Sequence, residues 1–177
     1  MQTLLIADDM GLNRHCLGLL LKRQGYRVLE ADDGDEALRI SRAERPDVAI
    51  VDLFMPAMDG FEYARHVRSD PSIAGMPIIF FSSTFSPTAA DILTRLLGVK
   101  HMLQKSCDDQ QILDAVRDAV NSPVPPPAVV VGPDEFNREH LRVITDKLST
   151  RMEGVLSTLG DCLGVSEPDC ENSAGCD

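Results

Sequence analysis

Polar side chains of three kinds follow the apolar runs of this sequence, at the point where each run ends. They comprise three carboxylates, one hydroxyl group and one ammonium group, contributed by Asp8, Asp9, Asp52, Ser82 and Lys105. If the runs are parallel strands of one sheet, these groups converge at its carboxyl edge, where open α/β sheets bind their ligands. We therefore predict a single polar site that is built from all five residues.

The composition of this site indicates phosphoryl chemistry. Three carboxylates within a few ångströms of one another repel, and without a cation at least one of them takes up a proton. Mg²⁺ suits such hard oxygen ligands and prefers one or two carboxylates together with phosphate oxygens and water. A carboxylate such as that of Asp52 can act as a nucleophile and form an acyl phosphate. Lys105 would then pair with one phosphoryl oxygen and Ser82 would donate to another.

Each group has a plainer interpretation when it is considered alone. An Asp-Asp pair after a strand is commonly a turn or a helix cap, and a lysine before a helix is usually solvated. The stretch Ser82-Ser83-Thr84 would by itself be a loop. The recurrence of these groups at the same end of successive strands is what favours a common site.

Strand-like and helix-like patterns alternate through residues 1–121. The predicted strands cover residues 3–7, 26–31, 47–51, 77–81 and 101–103. The later helices are predicted at residues 34–43, 61–67, 88–97 and 108–120. Before them, a first helix closes at Gly25, and its apolar positions are Leu12, Cys16, Leu19 and Leu20. Five such strand–helix units are typical of an α/β fold with a parallel sheet, helices on both faces and right-handed crossovers.

Composition limits the classes of protein to which the chain can belong. Its 177 residues allow one ordinary domain and an appendage, and a hydrophobic fraction of 44% is sufficient for a packed core. The net charge of −11 disfavours binding to DNA or to anionic membranes and favours cations or basic proteins. The sequence shows neither a signal peptide nor an apolar run near the ~20 residues of a membrane span. Together with five irregularly spaced cysteines, these features lead us to expect a cytoplasmic protein with reduced thiols.

The sequence beyond residue 121 divides into three segments. Residues 122–133 are a proline-rich linker. Residues 134–160 predict an amphipathic interaction helix with an apolar stripe at Leu141, Ile144, Leu148, Met152, Val155 and Leu159. This helix is expected to self-associate, to dock on another protein or to pack back on the preceding domain, with His140 as an ordinary surface histidine. Residues 161–177 are acidic, match no zinc pattern and are typical of a disordered tail.

Six stretches of residues 1–121 resemble, in the same order, the receiver domain of bacterial two-component response regulators. They are LIADD at 5–9, GYRV at 25–28 with ADDGDEAL at 31–38, PDV at 46–48, DLFMPAMDG at 52–60, PIIFFS at 77–82, and LQK at 103–105 after Gly98. Each stretch is weak alone, and all six in order are highly specific. The resemblance implies a flavodoxin-like, doubly wound parallel sheet of five strands in the order 2-1-3-4-5, to which the long C-terminal helix is added.

The resemblance also implies a chemical role for each polar residue. Asp52 would accept a phosphoryl group from a histidine kinase or a phosphotransfer protein. The Mg²⁺ ligands would be three carboxylates and one backbone carbonyl, from Asp8, Asp9, Asp52 and Phe54. Ser82 and Lys105 would sense the phosphoryl group. Such a chain is a phosphoacceptor that catalyses its own phosphorylation and dephosphorylation, and not an enzyme with a separate substrate.

Some positions depart from the family's pattern. Ser106 stands where the family usually has a proline after the lysine, so a trans peptide bond is expected there. Met102 occupies the place of the switch aromatic on strand five, so a tyrosine-hydroxyl readout is absent and we expect either a mobile methionine or an altered output surface. Ser83 replaces a usual alanine. Phe54 is hypothesised to cover the site in part and to slow attack by water.

The sequence therefore predicts a phosphorylation-controlled switch that signals through protein–protein contacts. The C-terminal helix is expected to mediate homo-oligomerisation or docking on a downstream protein target. Two alternatives remain open. One is a scaffold that keeps the receiver fold for binding alone, which the complete polar set argues against. The other is a regulator with a divergent DNA-binding tail, which the acidic charge of the tail argues against.

Overall fold

The computed structural model of the protein describes residues 1–83, 94–122, 136–138, 140–142, 145 and 149. Within these residues, five parallel strands form one sheet: β1 at Thr3–Ala7, β2 at Arg27–Ala31, β3 at Val48–Val51, β4 at Ile78–Ser82 and β5 at His101–Gln104. The strand order is β2-β1-β3-β4-β5. This order confirms the doubly wound fold that the family resemblance implies.

Helices lie on both faces of this sheet. Their bounds are α1 at Gly11–Arg23, α2 at Gly34–Glu44, α3 at Gly60–Ser69 and α4 at Asp109–Asn121. Residues 94–96, ahead of β5, are helical as well, and residues 88–93 of the helix predicted there lie outside the described part of the chain. In the described residues, no helix is both long enough and apolar enough to cross a membrane.

Two apolar layers hold the helices against the sheet. One lies beneath α2 and α3, and the other lies beneath α1 and α4. Strand β1 contributes side chains to both layers, because Leu5 and Ala7 belong to the first while Leu4 and Ile6 belong to the second. The same double burial along β3 explains why its sequence has no polar interruption.

Side-chain caps set the starts of three helices. Asp33 accepts a hydrogen bond from the backbone N–H of Glu36 at the start of α2. Asp108 and Gln111 form a reciprocal capping box at the start of α4, and Asp59 caps α3. Such caps stabilise a helix by about 1 kcal/mol each, which explains why acidic residues precede these helices.

The buried face of α1 differs from the prediction. The helix itself and its closing glycine are confirmed, since Gly25 follows the helix with a φ of 86°. However, Leu17 and Leu21 are buried, whereas Leu12 and Leu19 are exposed. Apolar residues surround this helix on nearly all sides, so the periodicity did not distinguish the face that meets the sheet from the face that meets solvent.

The C-terminal region is described only at its beginning. Residues 136–138 and 140–142 are helical, as predicted for that stretch. Leu141, the first member of the predicted apolar stripe, is exposed. The other members lie outside the described residues: Ile144, Leu148, Met152, Val155 and Leu159. Residues 123–133 of the predicted linker and the predicted tail at 161–177 also lie outside them.

Candidate functional site

The sheet register brings the predicted polar residues to one edge. Strands β1 and β3 pair Ala7 with Val51, so the next residue of each strand, Asp8 or Asp52, emerges at the same level. The backbone N–H of Asp52 donates to the carbonyl of Ala7 (2.8 Å). On the other side, the backbone N–H of Lys105 donates to the carbonyl of Ser82 (3.0 Å). Parallel pairing therefore places the ends of β1, β3, β4 and β5 side by side.

Three carboxylates meet at this edge. Asp8, Asp9 and Asp52 each offer one oxygen atom, and these atoms lie within 4.8 Å of one another. Asp8 and Asp52 are buried, whereas Asp9 is exposed. Because like charges repel strongly where they are buried, a cation close to this cluster would stabilise it.

Lys105 supplies one positive charge to the cluster. Its Nζ lies 2.7 Å from Oδ2 of Asp8 and 2.8 Å from Oδ2 of Asp52. Burial disfavours the ammonium form, but the hydrogen bonds and charges of Asp52 and Asp8 outweigh this effect, so the pKa of Lys105 is raised above its usual range. One lysine thus joins the two buried carboxylates.

The two buried carboxylates differ in how their oxygens are used. Asp8 accepts hydrogen bonds at Oδ1 from the backbone N–H of Met10 (2.9 Å) and at both oxygens from Nδ2 of Asn13 (3.3 Å each). Asp52 binds Lys105 through Oδ2, while its Oδ1 is buried and meets no donor within the described residues. A buried acceptor without a partner is costly, so Oδ1 of Asp52 is poised to receive a cation or to form a new bond.

Sequence reasoning missed two residues of α1 that hold Asp8. Asn13 contacts the carboxylate, and Nη1 of Arg14 donates to the backbone carbonyl of Asp8 (2.6 Å). A signal was present, because a helix that begins soon after a strand end returns its first-turn side chains to that end. Because α1 begins only three residues after Asp8, Asn13 and Arg14 in its first turn could have been predicted to contact Asp8.

The loop between β3 and α3 is packed directly on the backbone of Asp52. The N–H of Gly60 donates to the carbonyl of Leu53 (3.0 Å). A Cβ atom at Gly60 would lie 2.3 Å from the carbonyl oxygen of Asp52, which is far too close for any other residue. On the far side of the loop, a Cβ atom at Gly34 would lie 2.4 Å from the carbonyl oxygen of Met58. The starts of α2 and α3 therefore both press on this loop.

The remaining predicted positions lie near the cluster. Phe54 and Met102 are half-buried and pack against the apolar layer beneath α2 and α3. Ser82 is buried, and Ser83 is exposed. The peptide bond between Lys105 and Ser106 is trans, as expected from the absent proline. The hypothesis that Phe54 slows attack by water, and the role of Met102 in switching, stay predictions.

Contrary to the expectation of a surface residue, His140 is buried. The residue is 9% exposed, and its Nε2 lies 2.5 Å from Oδ2 of Asp59. The other oxygen of Asp59 accepts from the backbone N–H groups of Phe61 (3.0 Å) and Glu62 (2.9 Å). The sequence carried no signal for this contact, because it joins residues that are far apart in the chain.

Comparison with known proteins agrees with this geometry. Residues 4–117 match the family model described as the response regulator receiver domain. Protein PilH of Pseudomonas aeruginosa is 28% identical over 116 residues, which are 66% of this chain and 95% of PilH. The transcriptional regulatory protein GlrR of Escherichia coli is 37% identical over 123 residues, which are 69% of this chain but only 27% of GlrR.

A solved structure supports the same assignment. The chemotaxis protein CheY4 of Vibrio cholerae superposes with a TM-score of 0.63 and 30% sequence identity, covering 67% of this chain and 98% of that one. The family match spans more than half of the chain, and both the sheet order and the polar edge lie within it. The chain therefore belongs to the response regulator receiver family of two-component signalling systems.

Proposed function

We propose that Asp52 accepts a phosphoryl group from a histidine kinase or a phosphotransfer protein, in a site that binds Mg²⁺. The observation that carries this proposal is the divided environment of the Asp52 carboxylate. One oxygen pairs with Lys105, and the other is buried beside two further carboxylates without a donor among the described residues. A carboxylate in this arrangement has one oxygen held in place and one oxygen available for a new bond.

The same contacts distinguish Asp52 from its neighbours as the nucleophile. Both oxygens of Asp8 are already engaged by Asn13 and Lys105. Asp9 is exposed, so water competes for its oxygens. In the proposed step, Oδ1 of Asp52 attacks phosphorus, the bond between phosphorus and the donor's imidazole nitrogen breaks, and the bonding electrons leave with that nitrogen.

The donor set fits Mg²⁺. Its ligands would be carboxylate oxygens of Asp8, Asp9 and Asp52 and the backbone carbonyl of Phe54, all of them hard oxygen donors. When bound, the ion offsets negative charge on the phosphoryl oxygens. Lys105 already contacts Asp52 and would pair with a phosphoryl oxygen, and Ser82, at the end of β4, would donate to another.

An apolar surface beside the site suits a protein phosphodonor. Met10, Leu12 and Leu19 of the α1 region are large apolar residues that are exposed. Of these, Leu19 lines a groove between α1 and α4 whose lining also includes Lys105. A donor protein that covers these side chains would bring its phosphohistidine next to Asp52 and would exclude water from the reaction.

The signal would leave by protein–protein contact in the cytoplasm. Phosphorylation would draw Ser82 towards the site, shift the loop after β4 and alter the surface around Met102 and α4. The exposed Leu141 and the rest of the predicted stripe would then serve homo-oligomerisation or docking on a downstream protein. The net charge of −11 favours protein targets over DNA.

Mass spectrometry of the full chain, treated with a small-molecule phosphodonor and Mg²⁺, tests this proposal. We expect the wild type to gain one phosphoryl group, Asp52→Asn to gain none, and Asp35→Asn, which removes an acid on α2, to behave as the wild type. Uptake by Asp52→Asn at the wild-type rate would refute the assignment. Failure of the wild type to bind Mg²⁺ or a beryllofluoride mimic of phosphate would instead favour a phosphorylation-independent scaffold.

A further inference from the structure

The described helical residues 136–138 and 140–142, which we name the segment at 136–142, have one buried face. Phe136 is 1% exposed, and His140, one helical turn later, is 9% exposed. Its other described side chains are exposed: Asn137, Arg138, Leu141 and Arg142. Among the described residues of the segment, the contact with the rest of the protein therefore rests on two side chains, and Leu141, the first member of the predicted stripe, lies on the exposed face.

The apolar half of this contact is continuous with the core. Phe136 belongs to the layer beneath α2 and α3 that also contains Phe61 and Phe80. The centre of its ring lies 5.2 Å from the centre of the His140 imidazole, and that centre lies 6.2 Å from the centre of the Phe61 ring. The guanidinium carbon of Arg65 is 5.3 Å from the centre of the Phe136 ring, within the range of a cation–π contact.

The polar half of the contact is made with the cap of α3. Asp59 uses Oδ1 to cap the helix and Oδ2 to bind His140, so each of its oxygens has a separate task. The charged groups that act on His140 are the cap Asp59 and, within α3, Glu62 and Arg65. The segment thus lies on a defined site formed by the first turns of α3, which we name the α3 docking site: Asp59, Phe61 and Arg65.

The α3 docking site is connected directly to the backbone of Asp52. Gly60, which follows Asp59, donates to the carbonyl of Leu53 and leaves no room for a side chain against the carbonyl of Asp52. A change in the backbone after Asp52 would therefore move Gly60 and, with it, the cap at Asp59. Conversely, a ligand that holds Asp59 restrains the loop that carries Phe54.

We propose that the segment at 136–142 docks on its own receiver and, by holding Asp59, preorganises the loop after Asp52 for binding of Mg²⁺ and the phosphoryl group. Residues 123–135 provide enough chain for contact within one molecule, because extended chain covers about 3.3–3.6 Å per residue. Ordering the loop in advance removes part of the entropic cost of binding there. By linkage, binding of Mg²⁺ or a phosphoryl group at the acid site, which is formed by Asp8, Asp9 and Asp52, also strengthens docking of the segment.

The coupling rests on the proposed function, whereas the docking does not, and the full chain can be tested for both. Hydrogen exchange at the amides of Phe61 and Glu62 reports docking through the Asp59 cap. Titration with Mg²⁺ and beryllofluoride measures the affinity of the acid site for the phosphate mimic. We expect His140→Ala to speed exchange at both amides and to weaken binding of the mimic by about fivefold or more. Arg138→Ala, on the exposed face of the same segment, should change neither measurement.

Each contrary outcome is distinct. Unchanged exchange in both His140→Ala and Phe136→Ala, a second variant that removes the apolar half, would refute docking. Faster exchange with unchanged affinity for the mimic would refute the coupling. A wild type that protects these amides but fails to bind the mimic would refute the proposed function while leaving docking in place. Protection that rises with protein concentration would show that the segment docks on a second copy, and would overturn docking within one molecule.

Discussion

Lys105 pairs with only one side of the Asp52 carboxylate. Its Nζ lies 2.8 Å from Oδ2, while Oδ1 is buried and meets no donor in the part of the chain that the structure describes. The same Nζ lies 2.7 Å from Asp8. The lysine therefore balances two buried acids at once and still leaves one oxygen of Asp52 without a hydrogen-bond partner among the described residues. Loss of the Lys105 charge should therefore lower the free energy of unfolding as well as impair signalling.

Replacement of Lys105 should destabilise the protein in a manner that Mg²⁺ corrects. We expect Lys105→Met to lower the free energy of unfolding by about 3 kcal/mol, because two buried carboxylates lose their partner. If Mg²⁺ binds the folded cluster as proposed, it should stabilise the variant more than the wild type. Urea denaturation with and without Mg²⁺ measures both effects. Lys100→Met, at an exposed lysine paired with Asp118, serves as the control and should cost little. If Lys105→Met were as stable as the wild type without Mg²⁺, Lys105 would not be needed to stabilise the two buried carboxylates.

Enlargement of Gly60 should disturb the loop between Asp52 and α3. A Cβ atom there would lie 2.3 Å from the carbonyl oxygen of Asp52, so Gly60→Ala must move backbone. We expect a loss of about 1–3 kcal/mol in the free energy of unfolding, together with weaker Mg²⁺ binding. Gly75→Ala is a matched control, since a Cβ atom at Gly75 meets nothing within 4 Å. Thermal unfolding of the two variants in parallel checks this prediction, and equal stability would show that the loop yields freely.

A polar substitution on the exposed face of α1 should slow phosphotransfer from a protein donor but not from a small-molecule donor. Leu12 is 70% exposed, so Leu12→Ser should change the free energy of unfolding by no more than about 0.5 kcal/mol. We expect slower transfer from a phosphorylated histidine donor and an unchanged rate with a small-molecule donor. Leu141→Ser, at an exposed leucine of the C-terminal segment, controls for the loss of surface apolarity. Equal slowing with both donors would place the effect in the chemistry and not in docking.

Docking of the C-terminal segment should weaken as the pH rises. Burial disfavours the charged imidazole of His140, but the hydrogen bond and charge of Asp59 outweigh this effect, so the pKa of His140 is raised above its ordinary value of 6.5. The ion pair therefore contributes fully below pH 6.5, where the undocked histidine is also protonated, and its contribution is lost as the pH rises through the raised pKa. The contact involves Asp59, Glu62 and Arg65 on α3.

An NMR titration of the histidine side chains checks this pH dependence. We expect the His140 resonance of the wild type to titrate at a higher pH than that of Asp59→Asn, which lacks the carboxylate charge. Asparagine retains the capacity to cap α3, so this substitution removes charge with little change to the helix start. A His140 pKa that is unaffected by Asp59→Asn would show that the contact has no electrostatic part.

Local pattern was sufficient to predict the sheet and the polar edge. The apolar runs, the glycine after α1 and the acids before the helices each determine structure within a few residues, and parallel pairing then aligns the strand ends. Asp8, Asp9, Asp52, Ser82 and Lys105 converge for that reason. The family resemblance added the strand order, which alternation alone leaves open.

Tertiary structure alone decided the features that depend on contacts between distant parts of the chain. Leucines occupy several sides of α1, and only contact with the sheet selected Leu17 and Leu21 over Leu12 and Leu19. His140 and Asp59 are 81 positions apart, so no periodicity relates them. The orientation of Lys105 determines which oxygen of Asp52 stays available. The sequence by itself determined which groups reach the edge of the sheet, whereas their partners there follow from packing that local pattern does not encode.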